Sequence, residues 1–198
     1  MKNTVLFCTG LSGSGKSYFA KNTLPSGLFY NLRSLTTRPM RQGESDGNPY
    51  FFVDETEFER ARLVTRLWVN EAFWAPGKPK WLYGVPESEV LANLNRNLLY
   101  DVIQPKYARQ MIDWFCAHGL DAAYNFRVAY FLAPENNFDT ASRRANMPND
   151  AAVRQTNTCN PEDFLNANLE IDYLLKPIDG MYSQKLSRHI RRLAQNMR

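Results

Sequence analysis

Gly10-Leu11-Ser12-Gly13-Ser14-Gly15-Lys16-Ser17 fits the pattern G-x-x-x-x-G-K-[ST] at every fixed position. Upstream, Thr4-Val5-Leu6-Phe7-Cys8 is a short apolar run that reads as a buried strand, and residues 16–22 downstream read as a helix. A glycine-rich turn in that context lets the backbone wrap closely around an anion, with successive N–H groups and the helix N-terminus pointing at it. Gly10, Ser12, Gly13, Ser14, Gly15, Lys16 and Ser17 are therefore expected to hold ATP. Lys16 would bridge the β- and γ-phosphates and the Ser17 hydroxyl would ligate Mg²⁺. A glycine turn carrying a solvated lysine is the plain alternative; the strand before and the helix after weigh against it.

Working outward, further apolar runs at 98–103, 128–132 and 173–175 read as buried strands. Helical patterns at 87–96, 106–118 and 181–196 lie between and after them. Strands alternating with helices predict an α/β fold, a P-loop NTPase core whose parallel sheet is flanked by helices. Residues 34–84 break the rhythm with turn clusters such as Arg41-Gln42-Gly43 and Ser45-Asp46-Gly47-Asn48-Pro49, and read as a small β-rich inserted lobe. Trp68, Trp74 and Trp81 gather there, where packing of a lobe with little core of its own is the favoured role over base stacking. The polar stretch 134–161, carrying Arg143, Arg144 and Arg154, reads as a short lid. The expected division is a core of 1–33 and 85–198 and a lobe of 34–84.

Composition excludes several classes. With 198 residues, 44% apolar and 22% charged, the chain has an ordinary globular balance and length enough for a sizeable core. A net charge of +4 suits anionic nucleotides, while the basic residues are scattered except near Arg188, Arg191 and Arg192, so nucleic acid is not an expected partner. Cys8, Cys116 and Cys159 are odd in number and far apart, and lack C-x-x-C spacing; reduced thiols, no zinc and a cytoplasmic setting follow as expectations. The apolar run at 4–8 is too short for a signal h-region or a membrane span, so no membrane partner is expected.

A second run bears on the acceptor: Ser34-Leu35-Thr36-Thr37-Arg38-Pro39-Met40-Arg41-Gln42-Gly43-Glu44-Ser45-Asp46-Gly47-Asn48-Pro49-Tyr50-Phe51-Phe52. Two arginines three apart, followed by a turn that returns a tyrosine, can surround a small dianion, because guanidinium forks bind phosphate bidentately and a phenol adds one hydrogen bond. This run resembles the guanylate kinase signature S-x-T-T-R-x-x-R-x-G-E-x-x-G-x-x-Y-x-F, and every fixed position is present. The resemblance implies that Arg38, Arg41, Tyr50 and Tyr83 hold an acceptor phosphate and that Ser34 and Glu71 contact its base. It implies a monophosphate-binding role for the lobe, and Asp101 is a further substrate-binding candidate at a strand end. Lys16, Arg38, Arg143 and Arg154 are the catalytic candidates, with Arg144 an alternative in the lid. Direct in-line transfer needs no nucleophilic side chain, since the acceptor phosphate is itself the nucleophile.

Where the chain departs from the pattern, the base pocket is affected. Val85 stands where the family usually has Ser or Thr, Asn70 competes with Glu71 for the base-reading position, and Ile103 replaces the second Asp of an L-D-x-D pair. Phosphorylation of GMP or dGMP is the activity implied, with altered base choice open. Two rivals stay open: a guanylate-kinase-like interaction module without catalysis, which the retained Lys16 opposes, and a kinase for another phosphorylated acceptor such as a ribosyl bisphosphate, suggested by Tyr83-Gly84-Val85-Pro86. The protein is expected as a monomer or homodimer.

Overall fold

A computed structural model describes residues 2–11, 14–22, 27–72, 81–101, 104–132 and 159–175. In chain order they form β1 (Asn3–Gly10), α1 (Lys16–Asn22), β2 (Tyr30–Asn31), β3 (Leu35–Thr36), β4 (Phe51–Phe52), α2 (Glu55–Val64) and β5 (Leu67–Ala72). There follow β6 (Trp81–Pro86), α3 (Glu87–Leu91), β7 (Leu98–Asp101), α4 (Pro105–Ala117), β8 (Tyr124–Phe131), α5 (Pro161–Asn166) and β9 (Tyr173–Leu175).

One sheet has the order β2-β7-β1-β8-β9, and every pairing in it is parallel. Strand β1 lies at its centre, with Val5 opposite Leu98 on one side and Phe126 on the other. Side chains alternate across the pleat. Val5, Phe7, Leu98, Tyr100, Val128 and Tyr130 face a cluster completed by α4, whereas Leu6, Cys8, Leu99, Ala129 and Phe131 face one completed by Phe19 of α1. Helix α4 buries Tyr107, Ala108, Met111, Ile112, Trp114 and Phe115, the stripe that a 3.6-residue period puts on one face. Burial on both faces explains why these strands read as continuous apolar runs. The chain thus has the α/β P-loop architecture expected of it.

The second sheet, β4-β3-β6-β5, is mixed: β3 and β4 run parallel, while β6 runs antiparallel to β3 and β5. Residues 34–84 were expected to be β-rich, yet they also contain the ten-residue helix α2. Asp54 accepts a hydrogen bond from Glu57 N–H and Glu57 reaches back to Asp54 N–H, a reciprocal capping box. Only Phe58 of α2 is buried, so its apolar periodicity is faint and the helix escaped the reading of the pattern. Further corrections concern element ends. Helix α3 stops at Leu91 rather than 96, and α5 forms from Pro161, where no helix was expected.

Tryptophan placement follows packing. Trp68 and Trp81 are buried, and the Trp68 ring meets Trp114 of α4 edge to face with centroids 5.4 Å apart. Val85 is fully buried in the same cluster as Trp68 and Val90. Among the described residues no helix is long and apolar enough to cross a membrane, and Cys8, Cys116 and Cys159 are free thiols. Trp74 and the helix expected at 181–196 lie outside the described residues.

Candidate active site

Strand β1 ends at Gly10, whose φ of +132° is one that L side chains rarely adopt. A Cβ there would stand 2.5 Å from the Phe131 carbonyl oxygen, so only glycine lets β1 pass β8 at this point. Gly15, at φ +95°, turns the chain into α1, and Phe19 N–H to Gly15 O closes the first turn at 2.9 Å. Lys16 is thereby carried back over the strand end: its Nζ donates to Gly10 O at 2.9 Å and Leu11 O at 3.0 Å, with only 7% of the residue exposed.

Asp101, at the end of neighbouring β7, faces this loop. Its carboxylate accepts a hydrogen bond from the Ser17 hydroxyl at 3.3 Å and stands 3.9 Å from Lys16 Nζ. Burial raises its carboxyl above the ordinary range, while the Lys16 ammonium and the Ser17 hydroxyl pull the other way. Asp101 does not cap the next helix, because α4 starts from Gln104 without a side-chain cap. A hydroxyl and a carboxylate side by side are hard oxygen donors of the kind Mg²⁺ takes alongside substrate phosphates, so the residues present fit that ion. Cys159, ahead of α5, sits against the Gly10 N–H, and burial pushes its thiol up to about 12, leaving it neutral. No local motif marks this residue; only the packing of α5 brings it to the loop.

Across from the loop lies the arginine pair. Beyond β3 the Thr36 hydroxyl donates to Leu82 O and accepts from Arg38 N–H, and Leu82 N–H donates to the Thr37 hydroxyl. These bonds fix where Arg38 leaves the sheet. Its side chain is 1% exposed; Nη2 donates to both Glu44 oxygens at 2.8 and 2.9 Å, and Nη1 donates to Pro39 O at 2.7 Å. Glu44 also accepts from Arg41 N–H at 2.8 Å, so one carboxylate ties together both arginines. Burial is the largest single influence and works against the Arg38 charge, but the Glu44 hydrogen bonds and charge together with Tyr83 and Tyr50 outweigh it, and its pKa is raised. Burial would likewise raise the Glu44 carboxyl; the hydrogen bonds from Arg38 and Arg41 prevail and hold it below the usual carboxylate range. Sequence reasoning had given Glu44 no role, although the acidic residue after Gly43 was the signal.

The Arg38 guanidinium carbon stands 5.5 Å from the centre of the Tyr50 ring, and Tyr50 meets Tyr83 at 5.7 Å. Burial drives the Tyr50 phenol strongly upward, and the next cause is the Asp101 carboxylate. The structure therefore gathers Arg38, Arg41, Tyr50 and Tyr83 in one place, with Tyr50 within reach of the charge of Asp101, which bonds Ser17 of the glycine loop. Ser34 is buried, and its carbonyl accepts the N–H of Phe51, next to Tyr50, at 3.0 Å. Glu71 pairs in β5 opposite Leu82 and Asn70 opposite Tyr83, but their side chains lie outside what is described. Ser12, Gly13, Arg143, Arg144 and Arg154 are also outside the described residues.

Among known proteins, no family model matches the chain. It is 33% identical over 175 residues to the guanylate kinase of Legionella pneumophila, spanning 83% of this chain and 73% of that protein. To the guanylate kinase of Agrobacterium fabrum it is 32% identical over 146 residues, 72% of this chain and 60% of the other. To that of Thermus thermophilus it is 45% identical over 97 residues, spanning 48% and 41%. The match thus spans 60% or less of the length of the Agrobacterium and Thermus relatives. The crystal structure of guanylate kinase from Anaplasma phagocytophilum superposes with a TM-score of 0.58 at 20% identity, covering 98% of this chain and 86% of that one, a likeness of fold.

Proposed function

The chain belongs to the guanylate kinase family, and from that premise we propose that it transfers the γ-phosphoryl group of ATP to a nucleoside monophosphate, with GMP and dGMP the first candidates. One observation carries the reading: Asp101 bonds Ser17 beside Lys16, and its charge acts on Tyr50 of the cluster that holds Arg38, so the two proposed anion-binding groups face one another. In-line transfer needs the acceptor oxygen aligned with the donor's leaving oxygen, and two anion-binding groups facing one another support that alignment.

In this reading Lys16 steadies the donor phosphates, and the amides of the loop from Gly10 to Ser17 surround them. Ser17 and Asp101 would hold Mg²⁺, which when bound neutralises charge on the phosphate oxygens. Arg38, Arg41, Tyr50 and Tyr83 orient the acceptor phosphate, whose own oxygen attacks; with its pKa driven up, the Tyr50 phenol stays protonated and donates. Arg143 and Arg154 are proposed to close over the transferring group, and 34–84 to act as the acceptor lobe of a 1–33 and 85–198 core. Ser34 is proposed to read the base with Glu71. Val85 is buried in the core and presents no hydrogen-bonding group, so base reading is left to Ser34 and Glu71.

The test is ADP formation from Mg²⁺-ATP with each common ribo- and deoxyribonucleoside monophosphate offered in turn. Turnover with GMP or dGMP alone supports guanine reading through Ser34 and Glu71. Turnover with several bases supports a retained phosphate clamp beside a rewritten base pocket. No turnover with any of them defeats the proposal.

A further inference from the structure

The peptide leaves the parallel sheet after β2 and returns to the core from β6 into α3, and one carboxylate ties the two crossings together. Glu89 of α3, 9% exposed, accepts the Tyr30 hydroxyl at 2.7 Å, the Arg33 backbone N–H at 3.2 Å, Arg33 Nε at 3.0 Å and Arg33 Nη2 at 3.3 Å. Its own helix is pinned by Asn93, whose side-chain amide donates to Glu89 O at 2.7 Å. From this anchor the Arg33 guanidinium reaches into the lobe and lies 4.6 Å from the centre of the Phe51 ring. It borders the turn before Tyr50 as well: a Cβ at Gly47 would stand 3.5 Å from Phe51 and 3.9 Å from Arg33 Nη1. That turn is closed by Gly47 N–H to Tyr50 O at 2.7 Å, and Phe51 N–H donates to Ser34 O at 3.0 Å.

We infer that Glu89 and Arg33 are positioning residues for the acceptor: together they set the turn carrying Tyr50, and the neighbouring Ser34, against the core that holds the donor. The role rests on the proposed kinase reading. Neither side chain belongs to the phosphate clamp, and Arg33 acts through Phe51 and the 45–50 turn. A guanidinium gripped by two carboxylate oxygens and laid over a ring has one favoured orientation, so the turn it supports inherits that orientation. Without that orientation the Tyr50 turn samples positions that hold the acceptor less well in the ground state and the transition state alike, and the pair removes that freedom at its covalent root. Because they act as one unit, losing either partner should cost as much as losing both.

The full chain is tested as Arg33→Met, which keeps a stem over Phe51, as Glu89→Gln, and as both together. The expected result is a rise of about tenfold in KM for GMP, with kcat and KM for ATP within about twofold of the parent, the signature of lost ground-state positioning. The double variant should match either single one, and Arg33→Lys should recover part of the loss. Equal rises in both KM values, or additive effects in the double variant, would overturn the inference. Amide exchange gives a readout that needs no turnover: protection at 45–52 should fall about tenfold in each variant while β1 and β7 keep theirs. Unchanged protection, or a loss spread evenly over β1 and β7, would also overturn it. If the parent chain phosphorylates no monophosphate, the kinase reading falls, and the exchange result still decides the positioning role.

Discussion

The two groups proposed to bind anions lie on either side of the Asp101 charge but are built on opposite electrostatic plans. Lys16 is held by two backbone carbonyls, and its carboxylate neighbour is 3.9 Å away. Arg38 is gripped by both oxygens of Glu44, at 2.8 and 2.9 Å. Lys16 is oriented by dipoles and keeps its charge for a ligand, whereas Arg38 is oriented by a counter-ion with which, on the proposed function, an arriving phosphate must share it. Orientation by dipoles leaves a stronger field, and orientation by a counter-ion gives firmer geometry.

Lys16→Ala should have the largest effect, a fall of about 10³-fold in turnover at saturating acceptor, since charge at the transferring phosphoryl group loses its main protein counterpart. ADP release in a coupled assay reads it, and retention of turnover within about tenfold would erase the contrast. Arg41→Met removes a charge-assisted contact worth roughly 1.5–3 kcal/mol, or about 10- to 100-fold in KM for the monophosphate, while KM for ATP stays put. Titrating each substrate at a fixed level of the other separates the two sides.

Stability sharpens the contrast further, because the two carboxylates carry opposite signs. Glu44 has a folded pKa below its ordinary 4.5, so its contribution is present above that pH and disappears as pH falls through the folded value. Glu44→Gln should therefore lower stability by about 2 kcal/mol at pH 7 in urea unfolding, the gap to the parent closing in acid. Asp101 has a folded pKa above its ordinary 3.8, so its neutral form favours the fold at low pH and that advantage is lost as pH rises through the folded value. Asp101→Asn, without Mg²⁺, should hold or raise Tm at pH 7 while slowing ADP formation. A drop in Tm for Asp101→Asn as large as that for Glu44→Gln would remove the distinction. The smallest effect belongs to Asp54→Ala, about 1 kcal/mol from the loss of the α2 cap, with both KM values unchanged.

The parallel sheet was readable because its strands are buried on both faces and so announce themselves as apolar runs, and because Gly10 to Ser17 fixes what lies before and after it. The lobe was harder to read. Helix α2 buries only Phe58, and its evidence lay in the caps, Asp54 and Glu57, which a search for periodicity passes over. Arg38, Arg41 and Tyr50 could be grouped because a single loop holds them close together in sequence. The Glu89 grip on Arg33 spans 56 residues and has no local mark, and the position of Asp101 beside Ser17 comes from a sheet order that no short window contains. Val85 was read as a loss at the base pocket; its complete burial beside Trp68 shows a packing role.

Strand β1 has a further consequence, for how the chain is made. Its Thr4 N–H is bonded to Asn97, 93 residues further on, and its Thr9 hydroxyl to Ala129 O, 120 residues on. At ribosomal rates the centre of the sheet waits on the order of ten seconds for both neighbours. Through that interval Val5, Leu6, Phe7 and Cys8 form a bare apolar edge on both sides, a segment for a holding chaperone to shield. Folding of the finished chain should be slow for its size, since the contacts that complete the core are among the most distant in sequence.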